Sequence, residues 1–324
     1  WFFGTGTSYL KDPTNTYQAS GTYQIKLISI SNNGCKDSAS KSVVVYPKPS
    51  VSFTINDSDQ CISGNNFILS NSSSITSGSL SYFWKYGNGS TANSTHASHT
   101  YGADGSYSIK LIANSNNDCK DSLSKTVLVY PKPSVSFRIP KDSVCLKGNL
   151  YTFINNSSIS NGSLSHEWLF GNGKTSIQTH PSHKYTNSGN FVVILKSTSA
   201  FGCMDSAKKT TTVYPQTAVG FNIDRNSQCL KGNKFILTNT STISNGTKTY
   251  IWDFGDSNQD TGTHQNHHFN KDTSYKISLY TLTNFGCKDT ISKSVVVHPQ
   301  TKIGFDINDS TQCEKGNFFT FTNT

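Results

Sequence analysis

The residues of this chain best equipped for chemistry are its eight cysteines: Cys35, Cys61, Cys119, Cys145, Cys203, Cys229, Cys287 and Cys313. Their gaps alternate between 26 and 58 residues. An even, periodic set of thiols reads as a disulfide framework in an oxidising compartment. Zinc is a poor alternative, because no two of them stand at metal-loop spacing. Free or intermolecular thiols are the competing reading.

Histidines form the second pattern. His96 and His99, His180 and His183, and His264 with His267 and His268 repeat a His-x-x-His spacing. Two imidazoles three residues apart could ligate a metal. The corresponding stretch near the start of the chain has Asp12 and Thr14 to Thr16 and no histidine, so packing is the expected role. Asp253 and Asp256 could contribute to a calcium site, which needs several oxygen ligands. Their counterparts are Phe2, Lys85 and Leu169, and Thr5, Asn88 and Asn172. Calcium is therefore no general feature of the chain, and a site around Asp256 alone stays open. Gly87 and Gly89 follow a strand but open no helix, unlike a phosphate-binding fingerprint. No Ser/His/Asp set, nucleophilic cysteine or carboxylate pair recurs. The expectation is no catalytic residue, no resident metal and no cofactor.

These residues fall into register with four tryptophans. Trp1-Phe2-Phe3-Gly4, Trp84-Lys85-Tyr86-Gly87, Trp168-Leu169-Phe170-Gly171 and Trp252-Asp253-Phe254-Gly255 stand 83, 84 and 84 residues apart. A fixed period of that length means one folding unit repeated in tandem. Trp1, Trp84, Trp168 and Trp252 are the expected core residues. Whole repeats are expected at 49–132, 133–216 and 217–300. Residues 1–48 would be a repeat lacking its front half, and 301–324 the start of another, so the chain reads as a window on a longer array.

Charged residues make up only 15% of the chain, and its net charge is +9. Basic charge can favour acidic partners. The lysines are scattered, however, as on strand edges that resist aggregation. No basic cluster with interleaved aromatics is present, which argues against nucleic acid. No run of 18 apolar residues is present, so no membrane-spanning helix is expected.

Within one repeat, Val51–Ile55 alternates apolar and polar residues, the mark of a half-buried strand. Asp57 to Asn65 reads as turn chemistry. Phe67–Leu69, Tyr82–Tyr86, Tyr107–Leu111 and Val127–Tyr130 read as further strands, the last stopped by Pro131 and Pro133. Short strands separated by turn residues predict an all-β fold, a sandwich of two antiparallel sheets with the tryptophan between them.

Trp252-Asp253-Phe254-Gly255-Asp256, with His99-Thr100-Tyr101 and Gly105-Ser106-Tyr107-Ser108-Ile109-Lys110-Leu111, resembles the PKD (polycystic kidney disease) domain. The motifs recur in order over essentially the whole chain. The resemblance implies tandem Ig-like sandwiches in a linear array and a structural histidine at the His99 position. It also implies an extracellular setting as a spacer, an adhesive stalk, or a module beside a secreted hydrolase. The array is similar to those of large Bacteroidetes-type surface proteins, which would imply type IX secretion.

In a sandwich of alternating strands, Cys61, after the first strand, and Cys119, in the last hairpin, sit at opposite ends. A strand of 7–8 residues is roughly 25 Å long, whereas bridged Cα atoms lie within about 7 Å. The expected bridges therefore join neighbouring repeats, Cys61 to Cys203 and Cys145 to Cys287. Cys35, Cys119, Cys229 and Cys313 would pair outside the window. Just after the hairpin cysteines, Asp37-Ser38-Ala39, Asp121-Ser122-Leu123, Asp205-Ser206-Ala207 and Asp289-Thr290-Ile291 resemble the Bacteroidetes O-glycosylation signal, as does Asp142-Ser143-Val144. Ser38, Ser122, Ser143, Ser206 and Thr290 are the candidate acceptors. An aspartate capping its own hairpin explains the same pattern.

The expected function is a non-enzymatic stalk or filament segment at the cell surface. Its partners would be neighbouring repeats, like chains in a fibre, and surface glycans. The alternative is a polysaccharide-binding or spacer module of a secreted hydrolase. Tyr46, Tyr130 and Tyr214 are the candidates for a glycan-facing row, but they precede linker prolines and are expected to pack at the joints.

Overall fold

In a computed structural model covering residues 1–324, the chain folds without a helix. A leading pair, β1 (Gly21–Ile30) and β2 (Lys36–Val45), forms a two-stranded sheet. The first whole repeat contains β3 (Phe53–Ile55), β4 (Asp59–Cys61), β5 (Phe67–Asn71), β6 (Leu80–Lys85), β7 (Thr91–Ala92), β8 (Ala97–His99), β9 (Gly105–Ser115) and β10 (Lys120–Tyr130). One sheet runs β3-β5-β8 and the other β4-β10-β9-β6-β7. The larger sheet has the same strand order in the two later repeats, and Phe305–Ile307 pairs with Phe321–Asn323 beyond them.

The chain forms two compact units. One comprises Trp1–Ser136, Ser157–His166 and Lys196–Ser206; the other comprises Phe137–Asn156, Glu167–Leu195 and Ala207–Thr324. The first holds the leading pair, the first sandwich and the last hairpin turn of the middle repeat. The second holds most of the middle repeat and all of the third.

The Trp-x-aromatic-Gly motif builds the core. Trp84, Trp168 and Trp252 are completely buried. Each meets a phenylalanine of the opposite sheet edge to face: Phe53, Phe137 and Phe221, with ring centroids 5.1 Å apart in all three. Such pairs add about 0.5–1.5 kcal/mol beyond the area they bury. Each indole N–H is satisfied by a loop carbonyl, that of Ser94, Gln178 or Gly262. The motif glycines lie at φ near +80°. A Cβ on Gly171 would stand 2.7 Å from the Val192 carbonyl oxygen, and one on Gly255 equally close to that of Lys276. The glycine lets the chain turn against the neighbouring strand.

Three features differ from the sequence reading. Trp1 is only half-buried, since the leading β1–β2 pair has no facing sheet to cover it. The stretch 57–65 holds an edge strand, β4, which pairs parallel with β10, so the larger sheet is not wholly antiparallel. The final strand begins at Lys120 rather than Val127. At roughly 3.3 Å per residue the 11 residues of β10 span about 36 Å, which widens the distance between Cys61 and Cys119.

Candidate functional site

The residues with chemical potential gather where one repeat meets the next. Each last hairpin is closed by a hydroxyl. Ser115 Oγ accepts from the Cys119 N–H, Ser199 Oγ from Cys203 and Thr283 Oγ1 from Cys287, each at 3.1 Å. Gly34, Gly202 and Gly286 take the left-handed position of the turn. In the first whole repeat Asp118 takes it, at φ 60°. The turn thus holds its cysteine at the tip.

The receiving cysteine lies on the edge strand. Cys61 is the register partner of Tyr130, and Cys145 of Tyr214. The structure brings Cys61 and Cys203 together in a disulfide, with Cα atoms 5.6 Å apart across 142 residues. Cys145 and Cys287 repeat the separation and the Cα distance. Each bridge lies within one of the two compact units. Cys35, Cys119, Cys229 and Cys313 are free thiols.

Rings pack beside each bridge. Tyr130 stacks on Phe201 and Tyr214 on Phe285, with centroids 4.1 and 4.7 Å apart. Ion pairs complete the clamp. Lys48 meets Asp121 at 2.9 Å and Lys132 meets Asp205 at 3.1 Å. At the next joint Gln216 stands where Lys132 would be and donates to the Lys288 carbonyl. There Lys147 pairs with Asp289 instead. Hydrogen bonds from Lys48 and from the Ser122 N–H hold the Asp121 carboxyl below its usual range, against the opposing effect of burial.

These aspartates are the ones that precede the candidate acceptor hydroxyls. Asp37, Asp205 and Asp289 each accept the N–H of the following residue. They therefore cap their hairpins, and those at 121, 205 and 289 also hold a lysine of the preceding repeat. Ser38, Ser122, Ser206 and Thr290 are exposed on the hairpin strand. Ser143 is half-buried on an edge strand, the register partner of Thr212.

The histidines do not converge in pairs. His96 Nδ1 accepts the Asn71 N–H, and His180 and His264 do the same for Asn155 and Asn239. His99 stacks on Tyr86, meets Tyr101 edge on, and reaches Asn88 at 3.1 Å. His183 repeats this with Phe170, Tyr185 and Asn172. Burial lowers the pKa of both imidazoles, and Lys174 adds to the effect at His183. In the third repeat Asp256 replaces the asparagine and meets His267 at 2.7 Å. Its other oxygen accepts from Asn258, while Asp253 is engaged by Gly255 and Gln259. Both carboxylates thus accept bonds from local donors.

Two structural roles went unrecognised in the sequence. Buried Asn65 donates to the Ile62 and Tyr101 carbonyls and accepts the Tyr101 N–H, tying the loop after β4 to the segment between β8 and β9. Asn149 and Asn233 repeat all three bonds. The recurring Gly64-Asn65, Gly148-Asn149 and Gly232-Asn233 dipeptides were the available signal. Lys125, Lys209 and Lys293 lie over the core rings of Phe53, Phe137 and Phe221, which gives one scattered lysine per repeat a packing role.

Two sheets closed on a tryptophan, in tandem copies, define an immunoglobulin-like β-sandwich array. Residues 47–129, 132–214 and 218–298 each match the PKD domain, and the chain belongs to that family. It is similar to the PKD1 domain of Vibrio anguillarum Epp, at 31% identity over 25% of this chain and 93% of that one, with a TM-score of 0.23. The PKD1 domain of the Vibrio cholerae metalloprotease PrtV is 24% identical over 26% of this chain and 98% of its own, with a TM-score of 0.22. A Ca2+-stabilized adhesin of an Antarctic bacterium is 10% identical over 86% of this chain and 82% of its own, with a TM-score of 0.31.

Proposed function

We propose that this chain is a stalk segment of a large extracellular surface protein, an adhesin or a fibre, and that it works mechanically rather than catalytically. The observation that carries the reading is the recurrence of a disulfide at the same 142-residue separation, each time with a ring stack and an ion pair between the same two repeats. Disulfides persist in oxidising surroundings, which supports an extracellular location. Cys119 and Cys35 stand at the hairpin position of the bridged cysteines, and Cys229 and Cys313 at the edge-strand position. On this reading all four serve the same clamp with further repeats. Type IX export, glycans on Ser38, Ser122 or Ser206, and lateral association of like chains belong to the same proposal.

Single-molecule pulling tests it. Once reduced, each repeat of about 84 residues should release on the order of 250 Å when it unfolds, at 3.3–3.6 Å per residue. With the bridges intact the residues between bonded cysteines cannot extend, so the increments should be much shorter. Equal increments before and after reduction would contradict the proposal.

A further inference from the structure

The third repeat is distinctive on the outer face of its larger sheet. Ile251 and Tyr280 are register partners, flanked in the same row by Thr261 and Thr290. Leu282 lies in the adjoining row between Thr249 and Lys288. Residues opposite one another on a sheet share a face, with Cβ atoms about 4.5–5.5 Å apart. Ile251, Tyr280 and Leu282 are 46%, 43% and 43% exposed, a large apolar area for one sheet face. They floor a cleft of about 510 Å³, a volume suited to small ligands.

The clamp supplies one wall. Lys147, from the turn after Cys145, reaches Asp289 beside the cleft. That contact occupies Asp289 and leaves Lys288 as the unpaired cation at the rim. At the same register the middle repeat has Glu167, Lys196 and Thr198, and the first has Phe83, Ile112 and Asn114. An exposed phenol between two aliphatic side chains, beneath a lysine wall, is particular to the third repeat.

The C–H face of a sugar ring fits a flat phenol with aliphatic neighbours. The hydroxyls of Thr249 and Thr290 and the amide of Gln259 can meet sugar hydroxyls. The unpaired Lys288, on a chain of net charge +9, favours an acidic sugar. We infer that this cleft binds a stretch of acidic polysaccharide, with Tyr280 as the stacking platform. The inference goes beyond the stalk reading, which needs no ligand on the repeat. It also excludes a glycan on Thr290, which would fill the cleft.

The test uses the full chain, with Thr290 shown unmodified by intact mass, titrated with polygalacturonate oligomers and, in parallel, with dextran oligomers. The expected result is saturable binding of polygalacturonate that salt weakens, with dextran bound far more poorly. Tyr280→Ala should weaken binding about tenfold, equivalent to about 1.4 kcal/mol. Tyr280→Phe should retain it, and Ile68→Ala on the first sandwich should leave it unchanged. Three results would overturn the inference: no saturable binding, equal binding of dextran, or equal affinity of wild type and Tyr280→Ala. Self-association that Tyr280→Ala abolishes would also overturn it, by assigning the face to a second copy of the chain.

Discussion

The ring of Tyr130 lies flat against the ring of Phe201, 3° from parallel, and Tyr130 is also the register partner of the bridged Cys61. One residue thus touches both covalent and non-covalent parts of the clamp. Tyr214 and Phe285 repeat the arrangement, whereas the position matching Phe201 in the first sandwich is Asn117 and Tyr46 is half exposed. Phe201→Ala should destabilise the reduced protein by about 0.5–1.5 kcal/mol, and Asn117→Phe should add a similar amount by giving Tyr46 a partner. Denaturant melts of the reduced chain measure both. Unchanged midpoints would mean that the stacks contribute nothing.

Magnitudes rank the parts of the clamp. A 142-residue loop is worth up to about 5 kcal/mol in the loop-entropy model, and less when only one of the two bridged sandwiches unfolds. Exposed ion pairs give about 0.2–1 kcal/mol. Reduction should therefore lower the melting temperature clearly, while Lys132→Ala, which removes the partner of Asp205, should shift it by about 1–8 °C, at roughly 4–8 °C per kcal/mol for a domain of this size. A larger shift for Lys132→Ala than for reduction would invert this ranking.

Gly171 sits at φ +78°, and a Cβ added there would stand 2.7 Å from the Val192 carbonyl oxygen. Alanine there meets both a disfavoured backbone conformation and a collision with main chain. Gly171→Ala should cost several times the roughly 1 kcal/mol of an ordinary glycine exchange. Gly173→Ala, at a similar φ but with open space around it, should cost less. Thermal melting of the pair separates the contact from the backbone effect, and equal losses would show that the contact is irrelevant.

The two kinds of histidine site respond to pH differently. His99 and His183 have pKa values lowered by burial, so the folded state disfavours the proton. Their contribution is complete above the unfolded value of about 6.5 and is lost as pH falls through the lower folded value. The Asp256 carboxyl is also lowered; burial opposes this, but hydrogen bonds from His267 and Asn258 prevail. Its contribution holds above about pH 4 and is lost only in stronger acid. The melting temperature should fall between pH 7 and 5, and His99→Gln combined with His183→Gln should flatten that fall. Identical slopes for the two proteins would contradict the assignment.

The period, the core tryptophans and the all-β class were legible because they rest on local pattern. The aromatic-x-aromatic-Gly spacing fixes a strand end, and alternation marks the strands on either side. The β4 segment was not legible. Asp59-Gln60-Cys61 is polar and short, and it becomes a strand only through pairing with β10, far away in sequence. Asn65 reads as a turn residue because two of its three side-chain hydrogen bonds reach Tyr101, 36 residues away and outside any local window. The dipeptides following the hairpin cysteines display a hydroxyl in the sequence, while the contact that engages Asp121 comes from Lys48, outside any local window.

Peptide mapping of the non-reduced protein tests the clamp most directly. After proteolysis with thiols blocked, the account predicts a crosslinked peptide pair containing Cys61 and Cys203, a second containing Cys145 and Cys287, and no Cys61–Cys119 pair. Recovery of Cys61 bonded to Cys119, or of all eight thiols free in protein prepared under oxidising conditions, would contradict it.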